Sequence, residues 1–186
     1  LEFRSLWLDE LTSLSVSSYS PSDILQGRDF NRHTPPFYYL VLHFWLEVFP
    51  ANEFGLRLFS TVVDLVNIAL VATIFSRQFS RCVGIAVGAL YTISPYAVYY
   101  AQEGRMYSLT LFLVLLVYAF ALKAKNGSFT KRDAFLLWLV GVCGVYCHYY
   151  FALALFAITL GLLPSFRHEQ TARNRWLLAC IAVLVC

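Results

Sequence analysis

Residues 134–166 read AFLLWLVGVCGVYCHYYFALALFAITLGLLPSF, 33 positions without one Asp, Glu, Lys or Arg. A bilayer-crossing helix needs about 20 mostly apolar residues. A single helix over this stretch would overshoot the hydrocarbon by about 20 Å at 1.5 Å per residue. The run therefore reads as two helices, over 133–148 and 150–166, turning near His148-Tyr149-Tyr150.

The same reading extends outward. Residues 82–102 and 106–122 are also free of acidic and basic side chains. Of the 186 residues, 59% are hydrophobic and only 13% charged, with 12 Tyr and 16 Phe. An ordinary soluble domain is about 45–50% apolar and about 25% charged. Soluble globular, disordered and small disulfide-rich classes are excluded, leaving an all-α polytopic membrane protein. The five cysteines make no disulfide framework. Cys143 and Cys147 share a helix face next to His148, and they read as buried thiols rather than metal ligands.

The basic residues act as topology signals, so the net charge of +3 implies no nucleic-acid partner. They form three clusters: Arg77 and Arg81; Lys123, Lys125, Lys131 and Arg132; and Arg167, Arg173 and Arg175. The positive-inside rule puts all three on the cytoplasmic side. An even number of crossings must then separate successive clusters. Spans are predicted over 54–75, 83–100, 106–122, 133–148 and 150–166, with a further helix starting at 176–186. Residues 1–35 become an external loop with one or two short helices on the membrane surface over Leu11–Gly27. The 14-residue apolar stretch from Pro36 to Phe49 suits an interfacial or re-entrant helix over 36–50. The whole chain is expected to be one transmembrane core, with a helix missing before Leu1 and more helices after Cys186. Asn126-Gly127-Ser128 matches a glycosylation sequon, on the side this topology calls cytoplasmic.

That topology gathers the unusual polar residues on the external face: Asp9-Glu10, His33, Gln102-Glu103-Gly104-Arg105 and His148. Asp64 stands apart, about 15 Å deep in the 54–75 helix at 1.5 Å per residue. It reads as a protonated or interhelically bonded carboxyl, helped by Asn67.

Five motifs then occur in order. They are Trp7-Leu8-Asp9-Glu10; Thr34-Pro35-Pro36-Phe37-Tyr38-Tyr39-Leu40 running to His43-Phe44-Trp45; Glu53-Phe54-Gly55-Leu56-Arg57-Leu58-Phe59-Ser60; Ser94-Pro95 with Tyr100-Ala101-Gln102-Glu103-Gly104-Arg105-Met106-Tyr107-Ser108-Leu109; and His148-Tyr149-Tyr150-Phe151. In this order the chain resembles the C-type (GT-C) integral-membrane glycosyltransferases, in the branch similar to protein O-mannosyltransferases and the lipid A aminoarabinose transferase. It departs from that pattern before Thr34, where Arg32 and His33 stand at positions often acidic in the family.

The resemblance implies an inverting transfer of a sugar from a polyprenyl-phosphate donor to an acceptor lipid, glycan or protein. The transfer would take place at the extracytoplasmic face of a plasma membrane, or of the endoplasmic reticulum in a eukaryote. An acceptor hydroxyl is a poor nucleophile until a base removes its proton. Asp9 matches the family's acidic position and is the expected base, with Glu10 in a supporting or metal-contact role. The leaving lipid phosphate calls for a fixed cation, and Arg105 supplies a planar guanidinium suited to it. Glu103, Gln102, Tyr107, His33, Tyr38 and His148 are expected to line the donor and substrate site. No residue is assigned to a metal, and no cofactor is called for beyond the donor; a divalent ion sharing Arg105's task stays open. The alternative is a transporter or a non-catalytic scaffold of the same fold. Transporters place polar groups near the midplane, and here only Asp64 lies there.

Overall fold

A computed structural model describes residues 6–27, 35–164 and 170–185, excepting the side chain of Leu184. His33, Thr34, Asp29, Arg32 and Arg167 lie outside the described residues. Among the described residues the regular structure is entirely helical, as the composition predicts. The chain divides into two compact units, Leu1–Phe112 and Leu113–Cys186.

The first unit opens with two short helices, α1 (Leu8–Ser17) and α2 (Pro21–Gln26). Ser20 caps α2 by accepting from the Asp23 N–H at 3.2 Å, and Pro21 occupies the first turn, where a missing N–H does no harm. Helix α3 (Phe37–Val48) follows directly after Pro36. Its Tyr38, Tyr39 and Leu42 are buried, and Tyr38 meets Tyr39 and Phe59 edge-on. Helix α4 (Glu53–Gln78) is capped by Asn52, which accepts from the Gly55 N–H at 3.1 Å.

Where one span is expected over 83–100, the chain forms α5 (Arg81–Thr92) and α6 (Pro95–Ala101), bent by 64°. Pro95 explains the break: it has no N–H to continue the ladder, and its ring disfavours helical geometry in the residue before it. Ser94 accordingly has an extended backbone. The carbonyls near the end of α6 are met by hydroxyls, Thr61 donating to Ala101 O at 2.9 Å and Ser108 to Tyr100 O at 3.2 Å. Helices α4 and α5 pack closely because Gly84 has no side chain; a Cβ there would lie 2.4 Å from Ala72 O. Asp64 is indeed bonded between helices, but its partner is Tyr91 of α5, which donates at 2.6 Å. Asn67 turns instead to Ser108 O at 2.9 Å.

Helix α7 (Tyr107–Lys125) crosses the division between the units. In the second unit Gly127 takes the left-handed backbone that ends α7, and Thr130 with Asp133 forms a capping box for α8 (Lys131–Val145). Helix α9 (Phe151–Leu162) follows a turn over 146–150, where the Phe151 ring lies on Gly144; a Cβ there would be 2.3 Å away. Helix α10 (Gln170–Val185) starts six residues before the expected 176, because its polar first turns escape a hydropathy reading. Its Trp176 is fully buried and donates to Thr159 Oγ1 at 3.1 Å.

By length and composition α4 and α7 are long and apolar enough to cross a membrane, and the bent pair α5–α6 makes a third candidate if taken as one span. Helices α3, α8 and α9, at 12, 15 and 12 residues, are shorter than a full crossing.

Candidate active site

The first unit brings together charged residues from three distant parts of the chain. Asp9 and Glu10 fall in the first turn of α1. Successive residues on a helix point about 100° apart, so adjacent carboxylates meet different surroundings. The Asp9 side chain is 46% exposed, whereas that of Glu10 is 1% exposed.

Glu10 is held by Arg57, one turn into α4. Arg57 Nε donates to Glu10 Oε1 at 3.0 Å and Nη2 to Oε2 at 2.8 Å, a two-bond fork. Arg57 Nη1 also pairs with Glu53, one turn earlier on the same helix. Glu10 Oε1 accepts a further bond from the Gly104 N–H at 2.9 Å. Burial pushes the Glu10 carboxyl upward, but the Arg57 fork and the Gly104 N–H outweigh it and hold the group below its ordinary value. Gly104 itself rests on Leu56, and a Cβ would lie 2.4 Å from Leu56 Cγ. Only glycine fits there without displacing a fully buried leucine.

On either side of Gly104 stand Glu103 and Arg105. Arg105 Nη2 lies 3.6 Å from Asp9 Oδ2, and Nη1 donates to Asp9 O at 3.3 Å. Its Nε is buried with no hydrogen-bond partner. Glu103 is buried, and its Oε2 also lacks a partner. Burial raises the Glu103 carboxyl above its usual range; Arg105 opposes this, while Glu10 and Asp9 add to it. Arg57 is thus committed to two carboxylates, and Arg105 is the cation with bonding capacity to spare. Among the described residues no group of three or more His, Cys, Asp or Glu side chains is placed to hold a metal ion.

Of the residues predicted from sequence, Asp9, Glu10, Glu103 and Arg105 converge. Gln102 is exposed beside Glu103 and ends α6, and the ring of Tyr107, at the start of α7, meets that of Tyr100 at 4.7 Å with the planes tilted by 53°. Tyr38 is buried in the packing of α3 against Phe59. His148 belongs to the second unit, where its Nδ1 accepts from the Tyr150 N–H at 3.2 Å. His33 falls outside the described residues. Sequence reasoning quoted Arg57 within a motif but gave it no task. The signal was there: a lone guanidinium one turn into an apolar helix requires a partner. Helices α1 and α3 also wall an open groove of about 460 Å³ that includes Leu11, Ser17, His43 and Glu47, and none of the predicted site residues lines it.

A family model described as dolichyl-phosphate-mannose-protein mannosyltransferase matches residues 33–186. No curated protein and no solved structure matches the chain.

Proposed function

The chain belongs to the dolichyl-phosphate-mannose-protein mannosyltransferase family, membrane glycosyltransferases that use a polyprenyl-phosphate sugar, and on that premise we propose an inverting transfer centred on Asp9 and Arg105. The acceptor, a lipid, glycan or protein, presents a hydroxyl or amine. Its heteroatom attacks the anomeric carbon on the face opposite the phosphate. The bond from that carbon to the phosphate oxygen breaks, the acceptor proton passes to the Asp9 carboxylate, and the lipid phosphate leaves with its charge facing Arg105. A positioned base contributes about 10²–10⁴-fold. A guanidinium fixed beforehand where charge develops needs no reorganisation at the moment of reaction.

The observation that carries this reading is the division of labour between neighbours. Glu10 is withdrawn into a buried ion pair, while Asp9 keeps a half-exposed carboxylate 3.6 Å from Arg105. A base must reach its substrate, and of the two only Asp9 is open to one. Glu10 takes the supporting role. Gln102, exposed at the end of α6, and Tyr107 at the start of α7 are the further groups proposed to face the substrate, with the buried Glu103 behind them.

The reaction is assigned to the extracytoplasmic face. Helix α4 spans 26 residues, about 39 Å at 1.5 Å per residue, against a hydrocarbon core of about 30 Å. The cluster lies at the Glu53 end of α4, and Arg77 lies at the other, where the positive-inside rule favours the cytoplasm.

The test uses membranes containing the full-length protein, supplied with radiolabelled polyprenyl-phosphate sugars. Asp9→Asn at matched expression is expected to transfer at least about 100-fold less label than wild type. Equal transfer by the two would remove Asp9 as the base.

A further inference from the structure

Arg57 has no direct part in the transfer just described, yet all three of its guanidinium nitrogens bond to carboxylates. Three segments meet on one carboxylate: Glu10 from α1, Arg57 from α4, and Gly104 from the turn before α7. Each of the two proposed reacting groups is the chain neighbour of a locked residue. Asp9 precedes Glu10, and Arg105 follows Gly104. We infer that Arg57 is a positioning residue, which acts through Glu10 and the Gly104 N–H to fix the separation of Asp9 and Arg105. This inference rests on the reading of those two groups given above.

The physical argument turns on the number of bonds. A single ion contact fixes a distance. Two parallel bonds from a planar guanidinium also fix the plane of the carboxylate. With that plane set, Oε1 offers its remaining lone pair in one direction, and the Gly104 N–H occupies it at 2.9 Å. The Arg57 guanidinium is in turn steadied by Glu53 from the same helix, so the fork cannot swing with its side chain. The turn is also held to α4 by Leu56 against Gly104, by the Ser60 hydroxyl on Arg105 O at 3.5 Å and by the Thr61 hydroxyl on Ala101 O at 2.9 Å. Those contacts tie it to α4 alone; the Glu10 bond ties it to α1, which carries Asp9. A displacement of about 1 Å between groups that must meet a substrate together costs about 10²-fold in rate.

The informative variant is Arg57→Lys in the full-length membrane protein. Lysine keeps the charge, so Glu10 stays compensated, but it offers a point contact in place of the fork. Two readouts are combined: transfer kinetics with a labelled polyprenyl-phosphate sugar, and amide hydrogen exchange across 102–106. The expected result is a kcat lower by about 30–100-fold with donor KM within about threefold of wild type, together with about tenfold faster exchange at the turn. Combining Arg57→Lys with Arg105→Lys should cost less than the product of the two separate losses, because both act on one geometry. Unchanged exchange at the turn, an unchanged kcat, or losses that multiply would each overturn the inference. A wild type that turns over no donor overturns the transfer reading by itself, and exchange at the turn then decides whether the clamp exists without it.

Discussion

Each unit carries a carboxylate held by a cation at almost the same distance. Arg57 meets Glu10 at 2.8 Å in the first unit, and Lys123 meets Asp133 at 2.6 Å in the second. The likeness ends at the distance. Both partners of the first pair are out of reach of water, with side chains 7% and 1% exposed, whereas Lys123 is 54% exposed. Asp133 is also engaged without its lysine: it accepts from the Thr130 N–H at 2.9 Å and from the Thr130 hydroxyl at 2.7 Å. Glu10 is engaged by Arg57 and the Gly104 N–H from distant segments, and locally only by the Trp7 backbone, the weakest of these influences. Ion-pair distance therefore says little about consequence; solvent access and the other bonds of the acid decide it.

The largest break in the comparison should come from Arg57→Ala. Removing one member of a buried pair leaves the other charge uncompensated and costs about 3–5 kcal/mol. Chemical unfolding of the detergent-solubilised protein should record that loss. A cost under about 1 kcal/mol would show that the two pairs are equivalent after all.

A smaller effect, of opposite sign, is expected at Glu103. Burial raises its carboxyl above the usual 4.5; Arg105 pulls the other way, and Glu10 and Asp9 push with the burial. The folded state thus binds this proton more tightly than the unfolded chain does. Its contribution to stability is full below about 4.5 and is lost as the pH climbs through the raised value. Glu103→Gln should therefore melt at a higher temperature than wild type at pH 8, with the gap closing by pH 4. A gap that is the same at both would remove the burial argument. Glu10, whose value is lowered, behaves in the opposite way: its contribution is present above about 4.5 and fades as the pH falls through the depressed value.

The smallest effect belongs to Lys123→Ala, expected to cost about 0.2–1 kcal/mol, as exposed pairs do. Raised salt should erase most of it. Loss of more than about 2 kcal/mol would mean that the lysine, and not Thr130, holds Asp133 in place.

The parts of this architecture that follow from local chemistry were legible in the sequence. Charge-free runs mark α7 and the α8–α9 hairpin, Ser20-Pro21 opens α2, and Asp9 and Glu10 must face differently because a helix turns about 100° per residue. Counting crossings between basic clusters put Asp9, Glu10, Glu103 and Arg105 on one expected face, while the contacts among them belong to the fold. What stayed hidden depended on pairings between distant positions. Nothing local tells Glu10 that its partner is Arg57, 47 residues away, or Asp64 that its partner is Tyr91. The break at Ser94-Pro95 was visible as a motif, but a hydropathy window runs straight across it, since both legs are apolar. The polar first turns of α10 were passed over for the converse reason.

The bend between α5 and α6 also bears on the lipid around the protein. Standing upright, α5 provides about 18 Å of helix, and α6, turned by 64°, adds only about 5 Å of height. A hydrocarbon layer of about 30 Å does not match this, and a bilayer meets such a mismatch by thinning. Tyr96 and Tyr99, exposed on α6, have the amphipathic rings that settle at headgroup level. Under the proposed function the membrane beside Arg105 would be locally shallow, and the lipid-tethered phosphate of the donor would reach the guanidinium without leaving its own leaflet.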